Sequence, residues 1–170
     1  MAYSPNTQNF RIFPFYRIVA MLMNLLLGLP LIVLNLLLQS LLLVVVIRYY
    51  SRHHYLINSP SLLASLIVVN GVLLILIAGN LGQVALWAFL FQYLGEFAVF
   101  EDAFYHSAVN FATLGYGDIV MSDGYKLLGA IEAINGVLMI GVSTAVLMAT
   151  FNDAFRKTRR ARMKKGLPPI

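Results

Sequence analysis

The sequence has 170 residues, 60% of them hydrophobic and only 11% charged, and its twelve basic and seven acidic side chains give a formal net charge of +5. A water-soluble domain of this length needs far more polar surface to cover its core. Cysteine is absent, which excludes disulfides, thiolate metal sites and cysteine nucleophiles, and three histidines among scattered acids form no recognisable catalytic constellation, so an enzyme is not expected.

The charges are segregated. No Asp, Glu, Lys or Arg occurs between Arg17 and Arg48, from His54 to Gly95, or from Ala133 to Asn152. A helix needs about 20 apolar residues to cross a hydrocarbon core, and each run is long enough. The expected fold class is therefore an all-α integral membrane protein with three long helices.

In chain order, residues 1–17 read as an interfacial leader carrying Phe10, Phe13, Phe15 and Tyr16. The unit 18–58 holds the first long helix, about Ile18 to Ile47, with a bend at Pro30. The basic loop Arg48 to Pro60 follows it. In the unit 59–155, Ser59 and Pro60 suit a helix start. The second helix covers about Ser61 to Leu94, more than one crossing requires, so it either projects beyond the bilayer or breaks at Gly79–Gly82. Trp87, Tyr93 and Tyr125 suit interface anchors. A helix from about Glu101 to Ala112 is too short to span and reads as re-entrant. The stretch Thr113–Asp118 comes next, then a third long helix from about Tyr125 to Phe155 and a basic tail, 156–170.

Seven of the twelve basic residues lie in that tail, which the positive-inside rule places in the cytoplasm. The segment between the second and third helices is then external, and five of the seven acids (Glu96, Glu101, Asp102, Asp118 and Asp123) fall there. Repeated around an assembly, they make a cation-concentrating vestibule. A bland alternative is that acids sit outside because bases sit inside.

Non-helical backbone at membrane depth is tolerated only where it is buried or lines a water-filled path. In Thr113-Leu114-Gly115-Tyr116-Gly117-Asp118, glycine alternates with ordinary residues, and glycine takes positive φ without steric cost. Successive carbonyls can then point the same way. Rings of such oxygens, from Thr113, Leu114, Gly115 and Tyr116 of four chains, replace the hydration shell of a cation. The short helix ends at this stretch and aims its negative dipole end toward the ion. Tyr116 reads as an aromatic brace against that helix.

The hexapeptide resembles the T-V-G-Y-G-D filter signature of potassium channels, departing only at Leu114. The resemblance runs over about Glu101 to Phe151 and is similar to small bacterial two-helix channels of the two-pore-type ion channel family. The first long helix is an addition to the simplest members. It implies a pore domain at 59–155 (outer helix, pore helix, filter, inner helix) in a homotetramer of a bacterial-type cytoplasmic membrane. Passive, K+-selective conduction follows, with no organic cofactor and no nucleic-acid partner. The alternatives are a weakly selective cation channel and a non-conducting partner subunit. Val109 stands where simple channels often carry a filter-bracing glutamate. The resemblance also puts a gating hinge at Gly136, with close helix packing as the rival reading there and at Gly141.

Val137, Ile140, Thr144, Met148 and Phe151 follow helical spacing and, with Gly141, are the expected cavity-lining face. A constriction between Met148 and Phe155 is an expected gate. Glu132 is an intramembrane carboxyl, which is costly without a function or a partner; Ser107 and Asn110 are its expected partners in supporting the filter. His106 is either an external pH sensor or a hydrogen-bonded structural histidine. No run of arginines at every third position is present, so intrinsic voltage sensing is not expected. Anionic lipid is the expected contact of the tail.

Overall fold

The computed structural model describes residues 9–168. Among these residues are five helices: α1 (Asn9–Arg52), α2 (His54–Ile57), α3 (Leu62–Tyr93), α4 (Phe100–Phe111) and α5 (Lys126–Lys164). Three of them, Arg17–Arg52, α3 and α5, are long and apolar enough to cross a membrane. No strand occurs among the described residues. Inside lipid this is the economical solution, since a helix satisfies its backbone polar groups within itself.

Several boundaries differ from the sequence expectation. Backbone from Asn9 to Arg17 is already helical, so α1 starts nine residues before the expected Ile18 and takes in part of the expected leader; residues 1–8 lie outside the described part. The loop expected over Arg48–Pro60 is also largely helical. α1 runs to Arg52, and α2 follows because Ile57 is fully buried against Val68, Val69 and Ala154. α3 begins after Ser61, whose side chain accepts from the Ala64 N–H at 3.5 Å. It is continuous through Gly79–Gly82. Gly79 is there for packing, since a Cβ on it would lie 2.3 Å from Leu42 Cδ2. At 32 residues, α3 is about 48 Å long and outreaches a hydrocarbon core of about 30 Å.

α1 runs antiparallel to α3 and parallel to α5. Leu42 and Tyr49 on α1 sit over Gly79 and Gly71 on α3. Toward α5, Asn24 donates to the Gly124 carbonyl at 2.7 Å, Gln39 to Ser143 Oγ at 3.1 Å, and Tyr50 to Asp153 Oδ2 at 2.8 Å. A polar seam crosses the middle of the three helices. Gln83 Nε2 donates to Gln39 Oε1 at 2.8 Å, and Ser143 Oγ donates to Asn80 Oδ1 at 3.2 Å. Around the base of α4, Trp87, Ala88, Phe91, Ala103, Phe111, Leu128 and Met139 form the main apolar core. Trp87 is therefore a core residue, fully buried and 5.9 Å from the Phe91 ring, and is no interface anchor. Tyr93, in contrast, is 88% exposed at the end of α3.

Candidate functional site

Just past the end of α3, Gly95 takes φ +78 while its N–H bonds the Gln92 carbonyl and the Glu96 N–H bonds that of Phe91. This paired closure satisfies two end carbonyls and favours glycine at the left-handed residue. Glu96 then accepts from the Ser122 N–H at 2.6 Å and from Ser122 Oγ at 2.7 Å, tying this turn to the segment before α5. Glu101 and Asp102 open α4, where acids complement the helix dipole.

The end of α4 closes the same way, with a different residue. The Thr113 N–H bonds the Asn110 carbonyl and the Leu114 N–H bonds that of Val109, both at 2.8 Å, with Thr113 at φ +59. A β-branched residue is rare in that region. The next positive φ angles fall at Gly115 (+58) and Gly117 (+73), and Leu114 and Tyr116 have none. Left-handed residues thus alternate with ordinary ones from 113 to 117. The glycines were legible in sequence, whereas the conformation of Thr113 was not, because threonine carries no signal for it.

All six residues from Thr113 to Asp118 are exposed in the single chain. Leu114 is 55% and Tyr116 is 66% exposed. With most of its surface open, Tyr116 is not packed as a brace against α4 of its own chain. Beside the loop lies a cleft of about 480 Å³ whose lining includes His106, Asn110, Gly115, Gly117, Gly129 and Ala133.

Supports behind the loop are polar and specific. Tyr105 donates to Asp118 Oδ2 at 2.7 Å, a partnership that no sequence pattern announced. That bond holds the Asp118 carboxyl below its usual range and raises the Tyr105 phenol. His106 lies 2.9 Å from the Ile119 carbonyl through Nδ1 and 2.9 Å from the Asn110 amide through Nε2. The carbonyl needs a donor and the amide nitrogen an acceptor, which fixes the neutral ring with its proton on Nδ1. Burial also lowers the His106 pKa, so the structural reading of this histidine stands over the sensor reading. Val109 is buried and apolar.

Glu132 is fully buried and contacts Ser107 Oγ. Asn110, its other expected partner, gives one amide hydrogen to His106 Nε2 and keeps its second within reach of the Glu132 carboxyl. Gly136 has a packing role: a Cβ would lie 2.1 Å from the Phe111 carbonyl oxygen, so the backbones of α4 and α5 touch there. That contact accounts for the glycine without a hinge. Gly141 has nothing within 4 Å. Val137, Ile140, Gly141, Thr144, Met148 and Phe151 are all exposed. They lie opposite the stripe of α5 buried within the chain, which includes Leu128, Glu132, Asn135 and Met139. Phe151 stacks on Phe155 at 4.4 Å.

Residues 72–153 match the family model described as ion channel. This segment is similar to ion channels. It includes the second half of α3, all of α4, the loop 113–118 and α5 as far as Asp153, and leaves α1 outside. The potassium voltage-gated channel subfamily A member 2 of Oncorhynchus mykiss is 35% identical over 77 residues, which is 44% of this chain and 16% of that protein. The Mus musculus protein of the same name is 36% identical over 63 residues, 36% of this chain and 13% of the relative. Subfamily A member 10 of Homo sapiens is 31% identical over 74 residues, 43% and 14% respectively. The chain thus spans only 13–16% of these relatives' length. No solved structure matches.

Proposed function

We propose that this chain is the pore subunit of a potassium-selective channel, belonging to the potassium-channel family that its loop resembles, with four copies around one ion path. The observation that carries the reading is the alternation of positive φ at Thr113, Gly115 and Gly117 with ordinary backbone at Leu114 and Tyr116. Alternating handedness turns successive carbonyls to one side of a strand, and four such strands offer oxygens in place of water. Thr113, Leu114, Gly115 and Tyr116 are the proposed K+ ligands, with Asp118 at the outer mouth. No covalent chemistry is required of the protein.

What one chain leaves uncovered supports a homotetramer. Leu114 and Tyr116 are apolar or aromatic and exposed, and the cleft beside His106 and Asn110 is large enough for a tyrosine side chain. Tyr116 of one copy seated in the cleft of the next buries both surfaces. The exposed face of α5 from Val137 to Phe151 then lines the cavity, and the Phe151–Phe155 region is the proposed gate. Gly141, free of neighbours, is a better placed hinge than Gly136. The acidic loop side faces outward, and the basic end of α5 lies at the cytoplasmic face of a bacterial-type membrane against anionic lipid.

Rb+ uptake into liposomes tests the reading. Wild-type protein should give barium-sensitive flux that favours K+ and Rb+ over Na+. Gly115→Ala should abolish it, because a Cβ at φ +58 is strained by about 1–2 kcal/mol in each of four strands. Equal flux from the two proteins sinks the assignment, and equal Na+ and K+ flux favours a weakly selective pore.

A further inference from the structure

We propose that Glu132 is held as the neutral carboxylic acid and donates a hydrogen bond to Ser107, making it the positioning residue that fixes α5 to α4. Through Ser107 the same link reaches α3.

Proton counting carries this. Ser107 Oγ lies 2.8 Å from the Val84 carbonyl oxygen on α3, and a carbonyl can only accept. A serine hydroxyl has one proton to donate, so it cannot donate to both Val84 and Glu132. The two contacts are hydrogen bonds together only when the carboxyl supplies a proton of its own. The second oxygen, Glu132 Oε2, is buried with no partner. An anionic oxygen there is far more costly than the carbonyl oxygen of a neutral acid.

No cation is placed to compensate a carboxylate. α3 contains no charged residue, and α1 contains none between Arg17 and Arg48. On α5, Lys126 pairs with Asp123 at 2.8 Å, and Asp153 is occupied by Arg156 and Lys157. On α4, His106 is engaged by Ile119 and Asn110, Tyr105 by Asp118, and Glu101 and Asp102 are exposed in the first turn. The position also has a mechanical sense. Glu132 lies one turn before Gly136, where α5 touches the end of α4, so the bond sets the height of the pore-loop helix against the inner helix.

The protonation state does not rest on the channel reading. The test is infrared spectroscopy of wild-type protein in liposomes beside Glu132→Gln. A protonated-carboxyl C=O band should be present at neutral pH, persist into mildly alkaline solution, and vanish in the variant. Thermal melting supplies the second arm. Glu132→Gln keeps a donor and should melt like wild type. Glu132→Ala and Ser107→Ala should each melt lower, and the double alanine variant should add little to either. Absence of the band from wild-type protein overturns the proposal, as does a Gln variant that melts as low as Ala. A protein that shows the band but passes no Rb+ refutes the pore reading and leaves this one standing.

Discussion

Tyr105 and Asp118 are thirteen residues apart in sequence, yet their side chains meet at 2.7 Å behind the last residue of the loop. Because the bond lowers the Asp118 pKa, the charged carboxylate it braces is fully present above the ordinary carboxylate range and is lost as pH falls through the lowered value. Tyr105→Phe removes the donor and returns Asp118 toward its ordinary pKa of 3.8. Flux at neutral pH should stay near wild type, but external acid should inhibit the variant at a higher pH than wild type. Rb+ uptake measured against external pH reads the difference, and coincident inhibition curves would show that the bond has no bearing on the loop. The sequence marks Asp118 as an expected mouth carboxylate. Its partner was not legible, because a tyrosine in the first half of a short helix looks the same whether it faces lipid, water or a carboxylate.

Between elements, the decisive contacts are those in which a glycine lets two backbones or a bulky side chain approach. The three spans were legible because lipid demands long uncharged runs, and those runs are plain in the sequence. What they pack against was not, since glycine in an apolar helix gives no sign of which neighbour occupies its missing side chain. Gly136 and Gly141 separate the possibilities. Alanine in a helix interior is favoured over glycine by about 1 kcal/mol, whereas forcing extra volume into a packed contact costs about 1–3 kcal/mol. At Gly141, with nothing within 4 Å in the single chain, the propensity gain is unopposed. At Gly136 the new methyl meets a backbone carbonyl oxygen at 2.1 Å, which no rotamer change can relieve. Melting of the solubilised protein should therefore fall for Gly136→Ala and hold or rise for Gly141→Ala. Should Gly136→Ala melt as well as wild type, the α4–α5 seat is not what places this glycine.

For the molecule as a whole, the question is whether α1 is an appendage or part of the same folding unit. The sequence divided the chain at residue 58 because α1 is absent from the simplest two-helix channels, and the family match likewise begins only at Val72. The packing joins them. α1 is bonded to α5 or the turn before it at three levels, through Asn24, Gln39 and Tyr50, and its Gln39 also accepts from Gln83 on α3. The signal was present in the sequence: Asn24, Gly28, Asn35, Gln39 and Val46 recur at spacings of four and seven, which is one helical face, and all five are buried. Uncharged amides do not interrupt an apolar run, so the face passes as lipid-exposed until a partner is seen. Gln39→Leu alone strips Gln83 of its acceptor in a buried site, a loss of about 1–3 kcal/mol. Gln83→Leu alone does the converse to Gln39. Replacing both leaves neither member of this pair without the other, and Ser143 retains Asn80 as its acceptor at 3.2 Å, so the double variant should recover part of the sum of the single losses. A coupling near 1 kcal/mol is the expected size, since polar pairs between membrane helices average about 0.6 and reach about 1.7 kcal/mol. Equilibrium unfolding of the four proteins measures it, and one cooperative transition should serve for all of them. Strictly additive losses, or a separate early transition for α1, would make α1 an independent helix resting on α3 and α5.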